Sequence, residues 1–245
     1  MAALGPHIIW RYATRYRQKL VNKGYSFLLT RKVNQLSADA GIFVEGGPLR
    51  VRIEKGQDAR INLRGKLIIR PWLEGRDPVL ISCAPGSTLT IDGDFEIGGG
   101  TRLVLSPGAE LHIGGRREES ASGITERSTI MVNRKVSIGV DFLCACNVFI
   151  TDCDWHEIVG QEHQLDTIIG DHVWIASGAS VLKGSRMGDG SILACGSVAH
   201  KITIPSHALA GGVPCRVLAA RRTWRRDMPA SLDSAMGHRR CTRVK

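Results

Sequence analysis

Every sixth residue from Ile169 to Ala199 is apolar: Ile169, Ile175, Val181, Met187, Leu193 and Ala199. Four places after the first five stand Val173, Ala179, Ser185, Ser191 and Ser197. Gly170, Ala176, Gly188 and Ala194 follow four of the apolar positions directly. The same rhythm occurs earlier, as Ile138, Cys144, Ile150 and as Ile91, Ile97, Leu103, Ala109. A period of six fits neither an amphipathic helix nor the alternation of an ordinary strand. It fits a chain that makes a short strand, turns, and makes another. Three such strands close a triangular coil of about eighteen residues, and coils stack by parallel pairing. The repeated apolar residue then points into the prism, with the small residue beside it at the corner. One coil cannot bury its apolar stripe alone, so the pattern demands a stack.

Composition agrees. Aromatic residues are 5% of the 245, against 28 glycines, while hydrophobic residues reach 43%. A core of that size without large rings suits thin, many-cornered coils better than packed helices.

The flanks read differently. Segments 7–22 and 25–36 mix apolar and basic residues without turn clusters, which predicts helix. Residues 41–90 read as irregular early coils broken at Pro48, Pro71, Pro78 and Pro85. After Pro214 the run CRVLAARRTWRRDM reads as a closing helix, and the tail from Pro229 as a mobile end. The expected organisation is a basic helical segment over 1–40, a β-helix over 41–213 with an excursion at 151–168, and a helix with a basic tail over 214–245.

The net charge of +10 sits at the ends. Residues 1–38 hold seven Lys/Arg and no Asp/Glu, and 219–245 hold eight Lys/Arg and two Asp, which leaves the middle at −3. A nucleic-acid-binding fold would carry its positive charge on the body, so nucleic acid is not expected as a partner. The basic ends read as solvated surface, or as contacts to an anionic membrane face or acidic polymer. The cysteines are odd in number, seven, and form no CxxC pair. Neither a disulfide framework nor a zinc knuckle fits, and reduced cytoplasmic thiols do. No stretch is apolar for long enough to span a membrane. Basic residues interrupt the first thirty positions, against a signal peptide.

The segment 169–218 resembles the C-terminal coils of the hexapeptide-repeat acetyltransferases. The resemblance is carried by HVWI at 172–175, GDG at 188–190, CGSVAHK at 195–201 and GGVPCRV at 211–217. It is closest in character to the galactoside, maltose, capsule and lipopolysaccharide O-acetyltransferases. Weaker likeness runs back through LVLSPGAELHIGG at 103–115. The resemblance implies an all-β fold, a left-handed parallel β-helix. It also implies a homotrimer that binds acetyl-coenzyme A between neighbouring prisms, no metal, and a sugar acceptor in polysaccharide biosynthesis.

The hexads pause between Ile150 and Ile169. The stretch there is rich in ionisable groups: Asp152, Asp154, His156, Glu157, Glu162, His163 and Asp166. Polar excursions from regular scaffolds commonly carry function. Acyl transfer to a hydroxyl needs a base titrating near neutrality, which suits histidine. His156 stands where the family it resembles carries its catalytic histidine, with Asp152 or Asp154 to orient the ring. The resemblance further implies that the Ser177 main chain stabilises the oxyanion. It also implies that Ser177, Cys195, His200, Lys201 and Arg216 contact the coenzyme. Where sugar acetyltransferases place a second basic residue, Ala219 stands here, with Arg221 and Arg222 nearby.

Three rival readings use the same prism. His156, His163 and His172 could be nominated as ligands of a γ-type zinc carbonic anhydrase, although their spacing differs from that family's. A catalytically silent scaffold is the second. N-acetylation of a nucleotide-linked amino sugar is the third, since a histidine base serves an amine equally well.

Overall fold

The computed structural model describes residues 6–47, 49–72, 77–116 and 121–227, with side chains of the N-terminal helix described from Arg17 onward. Pro48 and the tail from Met228 lie outside the described residues.

The chain forms the stacked parallel coils that the hexads predict, in the left-handed β-helix that the resemblance implies. Three sheets make its faces. The first runs from Gln35–Leu36 to Thr203–Ile204, the second from Gly41–Val44 to Leu209–Gly211, the third from Val51–Lys55 to Val198–Ala199. The chain visits the faces in turn, so each strand up to Leu209–Gly211 pairs with one a full coil away. Late coils are regular: Ile168 pairs with Arg186, Trp174 with Ile192 and Ser180 with Val198, each eighteen residues on. All six hexad residues from Ile169 to Ala199 are buried, as are Val173, Ala179, Ser185, Ser191 and Ser197. Each buried Ile, Leu or Val contributes roughly 1.5–3 kcal/mol, so the stripe holds the stack together.

Two sequence expectations change, while a third holds. Residues 41–90 are the irregular early coils expected: their strands keep the three-face order, but partners such as Ile61 and Leu89 stand 28 residues apart rather than eighteen. The longer coils take up their extra residues at corners, where Pro71, Pro78 and Pro85 fall outside strands. At the N-terminus one helix, α1 (Pro6–Thr30), replaces the two segments. It stops at Thr30, and Gln35–Leu36 already joins the first face. The Asn34 side chain accepts from the Ile61 N–H at 2.8 Å, while the Asn34 N–H donates to the Ile61 carbonyl at 2.8 Å, so the ladder captures this chain.

The closing helix expected after Pro214 is a strand instead. Arg216–Ala219 runs antiparallel to Leu209–Gly211. The last coil leaves an open strand edge, and covering it satisfies backbone groups that a helix would leave bare. Beyond it, residues 220–227 descend as a strap. Trp224 stacks on His172, with ring centroids 4.1 Å apart and an interplanar angle of 6°, and its indole N–H donates to the His172 carbonyl at 2.9 Å. Arg226 donates to the carbonyls of Ala121 and Phe142. Trp174, outward on the second face, packs near Trp224. No helix among the described residues is long and apolar enough to cross a membrane.

Candidate active site

The excursion leaves the prism at the corner between the third and first faces, after Phe149–Thr151 and before Thr167–Ile169. Its neck is a short antiparallel contact. Asp154 N–H donates to the His163 carbonyl at 2.9 Å, Leu165 N–H donates to the Asp152 carbonyl at 3.0 Å, and Cys153 bridges to Gln164. Beyond the neck, residues 156–163 are exposed, including Ile158 and Val159.

Asp152 is fully buried and accepts from three backbone N–H groups of the coil below: Asn133 at 2.8 Å, Arg134 at 2.7 Å and Lys135 at 2.6 Å. Asp154 pairs with Lys183, which is itself 1% exposed and also donates to the Glu162 carbonyl. Asp152 spends both oxygens on backbone donors, which leaves none to orient the His156 ring, while Asp154 spends Oδ2 on the Lys183 ammonium. The reason is local: both sit in the neck, where backbone donors and a buried ammonium need them. They fix the neck of the loop. Asp166 adds an ion pair with Arg134 at 2.7 Å. Trp155, just before His156, has φ of 64°, a region that bulky residues avoid. Its indole N–H donates to Thr151 Oγ1 at 3.1 Å. His156 is thereby set on an exposed bend with a pinned backbone.

The expected coenzyme residues divide between two corners. Ser177 and Cys195 stack, one coil apart, on the corner between the second and third faces, and both are exposed. Cys146 lies below them, since Gly178 N–H donates to the Cys146 carbonyl and Gly196 N–H to the Ser177 carbonyl. Arg216 pairs with Gly211 at the top of the same column. The column is bare: Gly178 and Gly196 take φ of 69° and 66°, and a side chain added at Gly196 would meet nothing within 4 Å. His200 and Lys201 lie instead on the corner of the excursion, where Lys201 N–H donates to the Lys183 carbonyl. The third face separates the two corners. Its outward side is mixed: half-covered Leu80, Val104, Met131, Phe149 and Val198 alternate with Ser82, Arg102, Thr129 and Ser180.

His172 is on the remaining corner. Its Nδ1 lies 2.5 Å from Asp141 Oδ2 and its Nε2 3.1 Å from the Trp224 carbonyl. Both nitrogens are engaged, so it does not complete a metal triad with His156 and His163. The thiols are structural where buried: burial pushes Cys144 up to about 12 and Cys83 to about 11. The sequence alone did not single out Lys183 or Trp155. The available signal for Lys183 was its phase, one coil above the inserted loop on the same corner.

No family model matches the chain. It is 33% identical over 121 residues to the galactoside O-acetyltransferase of Escherichia coli (strain K12), covering 47% of this chain and 57% of that protein. The chain spans little more than half the length of the first curated relatives it matches. Among solved structures, the polysialic acid O-acetyltransferase OatWY aligns with a TM-score of 0.47 at 18% identity, over 77% of this chain and 97% of that one. The polySia-specific acetyltransferase NeuO aligns with a TM-score of 0.43 at 22% identity, over 82% and 93%. The chain is similar to acetyltransferases of the hexapeptide-repeat type.

Proposed function

We propose that this protein transfers the acetyl group of acetyl-coenzyme A to a hydroxyl of a sugar or polysaccharide precursor, with His156 as general base. The observation that carries this reading is the pairing of two features: a bare column at Cys146, Ser177 and Cys195, and an exposed histidine on a pinned loop one corner away. A straight edge of main-chain groups suits a pantetheine arm, and Arg216 at its upper end suits a phosphate. His156 Nε2 or Nδ1 takes the hydroxyl proton as the oxygen attacks the thioester carbonyl. The negative charge that develops on that carbonyl oxygen is met by a backbone N–H at Ser177. Collapse breaks the C–S bond, and the imidazolium returns its proton to the departing thiolate.

The two halves lie on opposite edges of the third face, so one prism does not unite them. We propose a homotrimer in which each prism turns its third face to the threefold axis. The excursion corner of one chain then meets the bare corner of the next, and Lys201 of one chain reaches coenzyme held by its neighbour. The half-covered Phe149, Met131 and Val104 of the third face and the exposed Ile158 and Val159 support this packing. The test is thiol release from acetyl-coenzyme A against a panel of sugars and amino sugars. His156→Ala should lower turnover by roughly 10²–10⁴-fold with the oligomer intact. Near-normal turnover in that variant, with a true acceptor, would remove His156 from the reaction.

A further inference from the structure

Helix α1 closes the N-terminal end of the stack. Its inner side chains serve the open backbone groups of the first coil. Ser26 Oγ accepts from Val44 N–H at 2.9 Å, and Thr30 Oγ1 from Ile42 N–H at 3.0 Å. Tyr25 OH accepts from Val51 N–H at 2.8 Å, and Asn22 donates to the Gly46 carbonyl at 3.2 Å. Leu29 is buried beneath them. The opposite side of the helix therefore points away from the prism.

That outer side is apolar. Leu20, Val21, Phe27 and Leu28 are 55%, 57%, 64% and 60% exposed. Positions 20, 21, 24, 27 and 28 fall on one stripe of a 3.6-residue period. Gly24, in the middle, has nothing within 4 Å of where a side chain would stand. Arg17 and Arg31 are exposed at the two ends of the stripe and Lys23 at its flank, and residues 1–38 contain no acidic group. Scattered exposed apolar residues need no explanation, but four on one helix face, flanked by cations, form an interfacial pattern. A second copy of this helix would bring like charges together, which disfavours self-association. An anionic surface is complementary in both charge and hydrophobicity.

We propose that the outer face of α1 lies in the surface of an anionic phospholipid bilayer. Leu20, Val21, Phe27 and Leu28 enter the headgroup–acyl boundary, and Arg17, Lys23 and Arg31 meet lipid phosphates. The stack then stands on the membrane by its N-terminal end. On the second face, five strand spacings separate Gly41–Val44 from Trp174–Ile175, so the Ser177 coil sits about 24 Å beyond the first coil. Only this last consequence rests on the proposed acetyl transfer; the binding itself does not.

The test is co-sedimentation of the full chain with phosphatidylglycerol/phosphatidylcholine vesicles and with pure phosphatidylcholine vesicles. Wild type should pellet with the anionic vesicles, more weakly as salt rises, and remain in solution with the neutral ones. Phe27→Glu/Leu28→Glu should lower partitioning at least ~30-fold, because the side chains no longer enter the acyl boundary. Arg17→Glu/Lys23→Glu should lower it comparably, each basic residue being worth roughly fivefold at such a surface. Light scattering of the lipid-free variants should report the wild-type oligomer, and thermal melting the wild-type fold. The proposal is overturned if wild type ignores anionic vesicles or binds neutral ones equally. Undiminished binding by both folded variants overturns it too. A changed oligomeric state in Phe27→Glu/Leu28→Glu would make the face a protein contact instead.

Discussion

Replacing Lys183 with methionine tests whether the neck of the excursion is what makes it a catalytic element. Lys183 is 1% exposed, and its ammonium holds both the Asp154 carboxylate and the Glu162 carbonyl. Methionine keeps the stem's volume and removes the charge. Breaking a fully buried pair from one side costs ~3–5 kcal/mol. Asp154 keeps 26% of its side chain in water and can rehydrate, so about 2–3 kcal/mol is expected here. The loss falls on the loop, because residues around Lys183 keep their strand ladders to the coils on either side. Loop opening should rise by roughly 30–150-fold, read as lost hydrogen-exchange protection confined to 152–166. Turnover should fall roughly 10–100-fold, since misplacing a catalytic group by about 1 Å is enough for that. Asp154→Asn added to Lys183→Met should restore part of the loss by removing the stranded carboxylate. Unchanged exchange in the loop together with wild-type turnover would refute the reasoning.

Ile175 is fully buried at the centre of the hexad stripe. Ile175→Asp should yield insoluble protein by burying an unpaired carboxylate, and soluble, cooperatively melting protein would contradict the interior phase. At pH 8, iodoacetamide followed by mass spectrometry should label exposed Cys195 and leave Cys83 and Cys144 untouched, because burial holds those two thiols protonated at pKa values of about 11 and about 12. Acetyl-coenzyme A should protect Cys195, and unprotected labelling at saturation would take the column away from the coenzyme. Arg216→Ala should weaken coenzyme A by roughly 10–150-fold and dephospho-coenzyme A much less, as one charge-assisted phosphate contact is worth ~1.5–3 kcal/mol. Equal calorimetric losses for both ligands, there and in an Arg221/Arg222 double variant, would discard the phosphate role.

The interior was legible because burial in a three-sided coil repeats at fixed spacing, and Ile169 to Ala199 kept that spacing without a break. What lay at the ends was not. The run after Pro214 carries helical periodicity, but its fate is set by the open edge of Leu209–Gly211, an edge that exists only because the stack ends there. The two aspartates were found by position, but their part in holding the neck was not. Their partners, the backbone of 133–135 and Lys183, lie one coil below and one coil above. Those contacts depend on where a fifteen-residue excursion returns, which propensity does not encode. The corner of each residue, however, was already in the numbering. Ser177 and Cys195 are eighteen apart and share one corner; Lys183 and Lys201 are eighteen apart and share another. Between the two sets the offset is six, one full face of the prism. Two groups six residues out of phase in such a coil are held apart by the strand between them, which is the spacing that the proposed trimer would bridge by bringing one chain's corner against its neighbour's.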